Sequence, residues 1–277
     1  MADKSKIEWT DATWNPVIGC SKVSPGCAHC YAEALTLRFA ATWKVPGLRW
    51  TPANASKNVM MRPERLEQPL RWGLSRMVFV NSMSDLFHEQ IPDGYIARVF
   101  AVMAAARQHV FQVLTKRPDR MAALLSSDSW RADVDEASRR VGHVSEAAWP
   151  LTNVWLGTSI ENHRFATRAD ELRETPAAIR FLSAEPLLGP LADALDLSRI
   201  DWLIVGGESG ARHRRIDPNW VRDLRDLATT ENTAFFFKQW GGRTSKANGR
   251  NLDGRTWDEL PESHPGSLSE RALPLTA

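Results

Sequence analysis

The chain has 277 residues, of which 43% are hydrophobic and 25% are charged. This is an ordinary globular composition, which excludes disordered, collagen-like and coiled-coil proteins. The 35 basic and 33 acidic side chains give a formal net charge of +2, which neither requires nor excludes a nucleic-acid partner.

Short apolar runs alternate with helical patterns along the chain. Residues 14–18 are typical of a first strand and residues 31–40 of a first helix. Residues 95–106 have a helical period, and Asp217-Pro218 is typical of a helix start. Six further runs are short, continuously apolar and rich in β-branched or aromatic residues, as in strands covered on both faces: 78–80, 110–114, 154–156, 179–182, 202–205 and 234–237. This order predicts an α/β fold, a partial (β/α)6-type parallel barrel with an extra C-terminal strand and a polar tail.

Two stretches interrupt the alternation. Residues 41–72 are rich in Pro, Trp and Arg, and residues 126–150 are polar and mixed. We interpret both as insertions in a single barrel that covers residues 1–240. Residues 241–277 are polar and begin with a Gly-rich stretch, which predicts a C-terminal hairpin or lid-like tail.

The strands predicted after the first one are each followed by polar residues. Because the carboxyl ends of parallel barrel strands converge on one face, six such clusters in succession predict a single polar site. A carboxylate at such a position is costly unless it is paired or functional, so Glu185 and Glu208 are candidate catalytic residues. The alternative is that they form ion pairs with Arg117, Arg212 or Arg214.

The three cysteines of the chain fall within eleven positions, as C-x6-C-x2-C: Cys20, Cys27 and Cys30. Three thiols cannot all pair with one another, and their clustering predicts a metal centre. A [4Fe–4S] cluster would bind one thiolate on each of three irons and leave the fourth iron for a small molecule. A zinc ion would need a fourth ligand, such as His29 or water. The position between the first strand and the first helix, without a second cysteine pair, favours the cluster.

The sequence predicts a cytoplasmic protein without a membrane partner. No apolar run approaches the roughly 20 residues that cross a bilayer. The N-terminal segment is polar and lacks the apolar core of a secretory signal.

Three cysteines in the first strand–helix loop of a partial barrel resemble the radical S-adenosylmethionine superfamily. The spacing from Cys27 to Cys30 matches the usual pattern, whereas the first interval is longer and His29 stands where an aromatic residue is common. A wider resemblance covers nearly the whole chain, to a phage- and bacteria-associated family of uncharacterised radical-SAM-like proteins, some distantly similar to the DNA-repair enzyme spore photoproduct lyase. It is carried by IEWTDATWNPVIGCSKVSPGCAHCYAE, NSMSDLFHE, LTKRP, GTSIEN, SAEPL, VGGESG, FFKQWGG and GRNLDGRTWDELP.

The resemblance implies a [4Fe–4S] cluster on the three cysteines, with S-adenosylmethionine on the remaining iron. Such enzymes cleave S-adenosylmethionine into methionine and a 5′-deoxyadenosyl radical that abstracts hydrogen from the substrate. An electron donor such as flavodoxin or ferredoxin is an implied partner.

Six residues at predicted strand ends are implied to bind S-adenosylmethionine. Ser82 or Ser84, together with Ser159, would contact its methionine part, and Lys116 would bind the carboxylate. Glu161 and Asn162 would hold the ribose. The alternatives are an ion pair between Lys116 and an acid such as Asp85, and a helix cap at Asn162.

The prediction of a substrate class rests only on the positions of basic and aromatic residues. Arg212, Arg214 and Arg215, with a basic C-terminal segment around Trp240 and Trp257, suit a phosphate backbone and stacked bases. A nucleic-acid base or DNA lesion is therefore one expected substrate, and a solvated surface with buried Trp is the alternative. Two competing functions remain: a zinc-stabilised nucleic-acid-binding phage accessory protein without catalysis, and a barrel hydrolase that uses strand-end carboxylates.

Overall fold

Seven parallel strands form one sheet that curls into a partial barrel, as the sequence predicts. The computed structural model describes residues 5–142 and 148–261. Each strand of the sheet runs parallel to its neighbours. In their order across the sheet, the strands are β1 Ala12–Trp14, β4 Met77–Val80, β5 Val110–Thr115, β6 Val154–Ser159, β7 Ile179–Ala184, β8 Trp202–Gly206 and β9 Ala234–Gln239.

The prediction of one strand over residues 14–18 is wrong. Strand β1 ends at Trp14, and β2 (Val17–Ile18) pairs in antiparallel fashion with β3 (Met60–Met61). Pro16 has no N–H to donate to the parallel ladder, so the chain leaves the sheet there. The Val17 amide instead donates to the side chain of Asn81, 3.2 Å away.

Helices follow most strands and cover the outer face of the sheet. The predicted helices begin and end close to their expected positions, and Asp217 caps the last one by accepting from the Asn219 amide. No helix in the described ranges is long and apolar enough to cross a membrane. The helices are α1 Tyr31–Arg38, α2 Ala40–Trp43, α3 Ala55–Asn58, α4 Asp93–Ala105, α5 Pro118–Leu125, α6 Asp128–Arg140, α7 Arg168–Glu174 and α8 Pro218–Thr230.

The polar stretch at 126–150 contains the regular helix α6, which packs against α4. Ser127 caps this helix by accepting from the Trp130 amide, and Trp130 and Val134 are buried on one face. Only a few apolar residues are needed for that narrow face, which is why the composition resembled an irregular insertion. Residues 143–147 of the stretch lie outside the described part of the chain.

Two hydrophobic cores lie on opposite faces of the sheet. The larger core packs between the sheet and the helices. The smaller core fills the inner face with aromatic rings, including Trp9, Trp155 and Trp202. Gly157 is required there, because a Cβ atom would lie 2.5 Å from the Phe181 ring. These rings occupy the interior of the partial barrel.

The C-terminal segment covers the open edge of β9. The Phe237 amide donates to the Trp257 carbonyl at 3.0 Å, and the Glu259 amide donates to the Phe235 carbonyl at 3.3 Å. Of the predicted hairpin or lid-like tail, residues 241–261 therefore include an edge cover for the sheet. Residues 262–277 lie outside the described range.

Candidate functional site

A cavity of about 610 Å³ lies at the carboxyl ends of the strands. Its volume is within the range of small-molecule sites. The three cysteines line it, together with six of the predicted strand-end residues: Ser82, Ser84, Lys116, Ser159, Glu185 and Glu208. The convergence predicted from the polar clusters is thus present in the structure.

The cysteines lie on one segment, residues 20–30, here called the Cys loop. Cys20 follows β2, Cys27 ends a short 3-10 turn, and Cys30 immediately precedes α1. All three are half-buried and without a disulfide. Just before the loop, Gly19 has a φ of +92° and passes so close to Asn58 that a Cβ atom would lie 1.9 Å from its carbonyl oxygen. Only glycine fits this approach.

Burial raises the pKa of two thiols of the Cys loop, those of Cys20 and Cys30. Burial, reinforced by the nearby Asp85 carboxylate, raises the pKa of Cys20 to about 12. Burial also raises the pKa of Cys30. These two thiols are therefore protonated at neutral pH in the metal-free protein, and a metal that binds them must displace protons.

Arg117 connects the Cys loop to the end of β5. Its Nη1 lies 3.7 Å from the Cys20 sulfur and 3.0 Å from Asp85 Oδ2, and its Nη2 donates to the Ser21 hydroxyl at 3.1 Å. The acid partner of Arg117 is thus Asp85, with Glu89 at 3.2 Å, rather than either predicted catalytic glutamate. The sequence offered Arg117 only as an alternative ion-pair partner of Glu185 or Glu208, and its contact with Cys20 was missed. Its position two residues after β5 and directly before the proline that begins α5 was the available signal.

Glu161 is fully buried and does not line the cavity. It forms an ion pair with Lys116 Nζ at 2.8 Å, and it accepts from Arg168 at 3.2 Å and from Ser24 of the Cys loop at 2.5 Å. Burial alone would raise its pKa, but the Lys116 charge and the hydrogen bonds from Lys116 and Ser24 lower it. The structure does not bring Glu161 to a position that could hold a ribose, and Lys116 is paired with Glu161 rather than with Asp85.

Asn162 has the alternative role that the sequence allowed. Its side chain accepts from the Arg164 amide at 3.1 Å and caps the short 3-10 turn His163–Phe165. It does not line the cavity. The two residues expected to hold a ribose therefore both lie outside the cavity wall.

The Glu208 carboxylate contacts two basic side chains, those of His29 and Arg214. Its Oε2 lies 3.0 Å from His29 Nδ1 and 2.9 Å from Arg214 Nε. Burial would raise the pKa of Glu208, but the hydrogen bonds from Arg214 and His29 outweigh it and lower the pKa to about 2. Arg214 also donates to the Pro25 carbonyl of the Cys loop at 3.0 Å. Glu208 is therefore ionised and paired, as the alternative interpretation expected.

Glu185 is paired with Lys238 across the ends of β7 and β9. Lys238 Nζ lies 2.9 Å from Glu185 Oε1, and the Ser183 hydroxyl donates to Oε2 at 3.2 Å. Gly206 makes room for this carboxylate, because a Cβ atom there would lie 2.6 Å from Glu185 Oε1. Both charged side chains line the cavity, so the pair presents a donor and an acceptor to any bound molecule.

The three predicted serines differ in their availability. The Ser82 hydroxyl donates to Asn15 Oδ1 at 3.2 Å, and the Ser84 hydroxyl donates to the Val17 carbonyl at 3.0 Å. Ser159 ends β6 and is buried, and its carbonyl oxygen accepts from Arg168 at 2.8 Å. The Ser82 and Ser84 hydroxyls are therefore already bonded to residues of the segment that precedes the Cys loop.

Trp240 and Trp257 do not line the cavity. Trp257 Nε1 donates to the Leu252 carbonyl at 3.2 Å, and the Arg255 guanidinium lies 3.5 Å from the centre of its ring. Trp240 Nε1 donates to the Asn251 carbonyl at 2.8 Å. The structure therefore does not place these rings where they could stack a base beside the thiols.

The two metal centres that the sequence allows need different arrangements of the thiolates. A tetrahedral zinc ion, with Zn–S bonds of about 2.3 Å, holds its thiolates about 3.8 Å apart. Within residues 5–142 and 148–261, no group of three or more His, Cys, Asp or Glu side chains is arranged to hold a metal ion. A cluster binds each thiolate through a different iron, so its thiolates are spread more widely. The three half-buried thiols lie on one loop and line one cavity.

Comparison with known proteins identifies the family of this chain. The chain has no match among curated proteins and none among solved structures. One family model, described as "Protein of unknown function (DUF5131)", matches residues 4–261. Because this match covers the whole sheet, the Cys loop and the edge cover of β9, the chain belongs to the DUF5131 family.

Proposed function

We propose that this protein is a radical S-adenosylmethionine enzyme. The observation that carries the proposal is the position of the three cysteines of the chain, which one loop brings to one cavity at the carboxyl ends of a partial parallel barrel. Active sites of parallel α/β barrels form at this end. We propose a cytoplasmic location as well, because three unpaired thiols suit a reducing compartment.

Cys20, Cys27 and Cys30 would hold a [4Fe–4S] cluster. With S-adenosylmethionine on the fourth iron, such a cluster supplies the electron that releases a 5′-deoxyadenosyl radical. Arg117 stabilises negative charge at Cys20, the sulfur nearest to it. The aromatic inner core closes the cavity from below and excludes water from that side.

The remaining cavity wall would bind the organic ligands. Ser159 on β6 lines the cavity, and the Glu185–Lys238 pair lines it at β7 and β9. We propose that the ion pair contacts the substrate, because its ammonium can donate and its carboxylate can accept. A nucleic-acid base remains a proposed substrate on the strength of the exposed Arg212 and Arg215 alone.

The first experiment is anaerobic reconstitution with iron and sulfide. We expect about four irons and four sulfides per chain, and a change in the electron paramagnetic resonance spectrum of the reduced protein when S-adenosylmethionine is added. The variant with all three cysteines changed to Ala should retain no iron. A reconstituted wild type that binds zinc in place of iron, or iron content that persists in the triple variant, would overturn the proposal.

A second measurement tests the chemistry separately from the cluster. The reduced protein should release methionine and 5′-deoxyadenosine from S-adenosylmethionine, with flavodoxin or ferredoxin as electron donor. Gly73→Ala is a suitable control, because a Cβ atom at Gly73 would meet nothing within 4 Å. A loaded cluster that never cleaves S-adenosylmethionine would refute the enzyme assignment while leaving the metal site intact.

A further inference from the structure

Three buried carboxylates from different parts of the fold contact the Cys loop. Glu33 belongs to α1, Glu161 follows β6 and Glu208 follows β8, and each is at most 6% exposed. Buried carboxylates are stable only when they are paired and hydrogen-bonded. Their partners in the loop are, in the same order, Lys22, Ser24 and His29.

Glu161 is the most completely enclosed of the three. Lys116 and Arg168 fix its carboxylate from the barrel side, at 2.8 and 3.2 Å. From the loop side, Ser24 donates to Oε1, and the same hydroxyl lies 3.7 Å from the Cys27 sulfur. A chain of direct contacts therefore runs from the end of β6 through Ser24 to a thiol.

Gly26 gives a second, independent contact between Glu161 and the loop. A Cβ atom at Gly26 would lie 2.5 Å from Glu161 Oε1 and 2.6 Å from its Cγ. Because Lys116 and Arg168 hold the carboxylate, it has little freedom to move away from such a methyl group. The loop backbone thus rests on the Glu161 side chain one residue before Cys27.

We propose that Glu161 is a positioning residue that fixes the Cys27 segment of the Cys loop over the cavity before any cofactor binds. That the segment is fixed for a metal cluster rests on the proposed function, whereas the contact itself does not. Glu161 acts through Ser24 and Gly26. This positioning role takes the place of the ribose-binding role that the sequence predicted for Glu161.

The test measures thiol reactivity in the metal-free protein. Alkylation of Cys27 by iodoacetamide is followed by mass spectrometry at one fixed pH. Ser24→Ala removes the hydrogen bond to a charged acceptor, and we expect Cys27 to react about ten- to a hundredfold faster. Ser24→Thr keeps the hydroxyl and should restore protection. If Ser24→Ala only destabilised the fold, all three thiols would react faster and the melting temperature would fall.

Gly26→Ala is the variant that does not alter the group beside the Cys27 sulfur. It should also accelerate alkylation of Cys27, because the added methyl group displaces the loop from Glu161. The matched controls are Gly73→Ala, which has open space, and Ser198→Ala, which removes an exposed serine–carboxylate hydrogen bond to Asp196. Both controls should react at the wild-type rate.

Two results separate this inference from the proposed function. If Ser24→Ala and Gly26→Ala both leave Cys27 at the wild-type rate, the positioning role of Glu161 is overturned. If both accelerate alkylation while the wild type never takes up iron and sulfide, the positioning role stands and the proposed function fails.

Discussion

Glu208→Gln tests whether the paired carboxylate at the end of β8 stabilises the fold in its charged form. The substitution keeps the shape of the side chain and removes its negative charge. His29 and Arg214 then lose the charge that they face, at 3.0 Å and 2.9 Å from Oε2. We expect a lower free energy of unfolding at neutral pH.

The magnitude follows from the pKa of Glu208. A fall from 4.5 to about 2 corresponds to about 3 kcal/mol if the whole shift reports folded-state stabilisation. The side chains of Arg214 and His29 are 35% and 33% exposed, so solvent screening reduces this to about 1–2 kcal/mol. For a chain of this size, that loss lowers the melting temperature by about 2–8 °C.

The pH dependence has a defined sign. Because folding lowers the pKa, the stabilisation is complete above pH 4.5 and is lost as the pH falls towards 2. Melting curves of the metal-free wild type and of Glu208→Gln should therefore differ most at pH 7 and converge below pH 4.5. Glu67→Gln, at an exposed surface pair with Arg71, should melt like the wild type. An equal gap at pH 7 and pH 3 would refute the reasoning.

Two further predictions concern the inner core and the cavity wall. Gly157→Ala should lower stability by about 1–3 kcal/mol in thermal melts, because the methyl group meets the Phe181 ring, whereas Gly94→Ala meets nothing within 4 Å and should not. Glu185→Gln and Lys238→Met should each destabilise the protein. The double variant should lose less stability than the sum of the two single losses, with a coupling energy above about 0.5 kcal/mol. A strictly additive double-mutant cycle would show that the 2.9 Å contact contributes nothing.

The strands were predictable because a strand buried on both faces is apolar throughout. The run at 202–205 corresponds to β8, and that at 234–237 lies within β9. The first strand was misplaced because apolar residues continue past Pro16, although the proline ends the parallel ladder. A count of apolar residues does not show that one residue in the run, Pro16, lacks a backbone N–H donor.

The convergence of the strand-end residues was also predictable, but their pairing was not. Lys116 and Arg117 are neighbours in the sequence, yet they bind Glu161 and Asp85 respectively. Which neighbour meets which acid depends on the direction in which each side chain leaves the strand end. Likewise, the contact between Ser24 and Glu161 joins residues 137 positions apart, and no local pattern encodes it.

The same contacts stabilise the partial barrel and place its thiols. Carboxylates at the ends of β6 and β8 would be costly in a dry interior if they were unpaired, and Lys116, Arg168 and Arg214 form ion pairs with them. The remaining hydrogen bonds come from Ser24 and His29, which are residues of the Cys loop. The loop therefore satisfies the buried acids, and the acids in turn hold the loop. Substitutions of these glutamates should alter stability and thiol reactivity together, whereas substitutions of Glu185, whose ion pair and hydrogen bond are with Lys238 and Ser183, should alter stability alone.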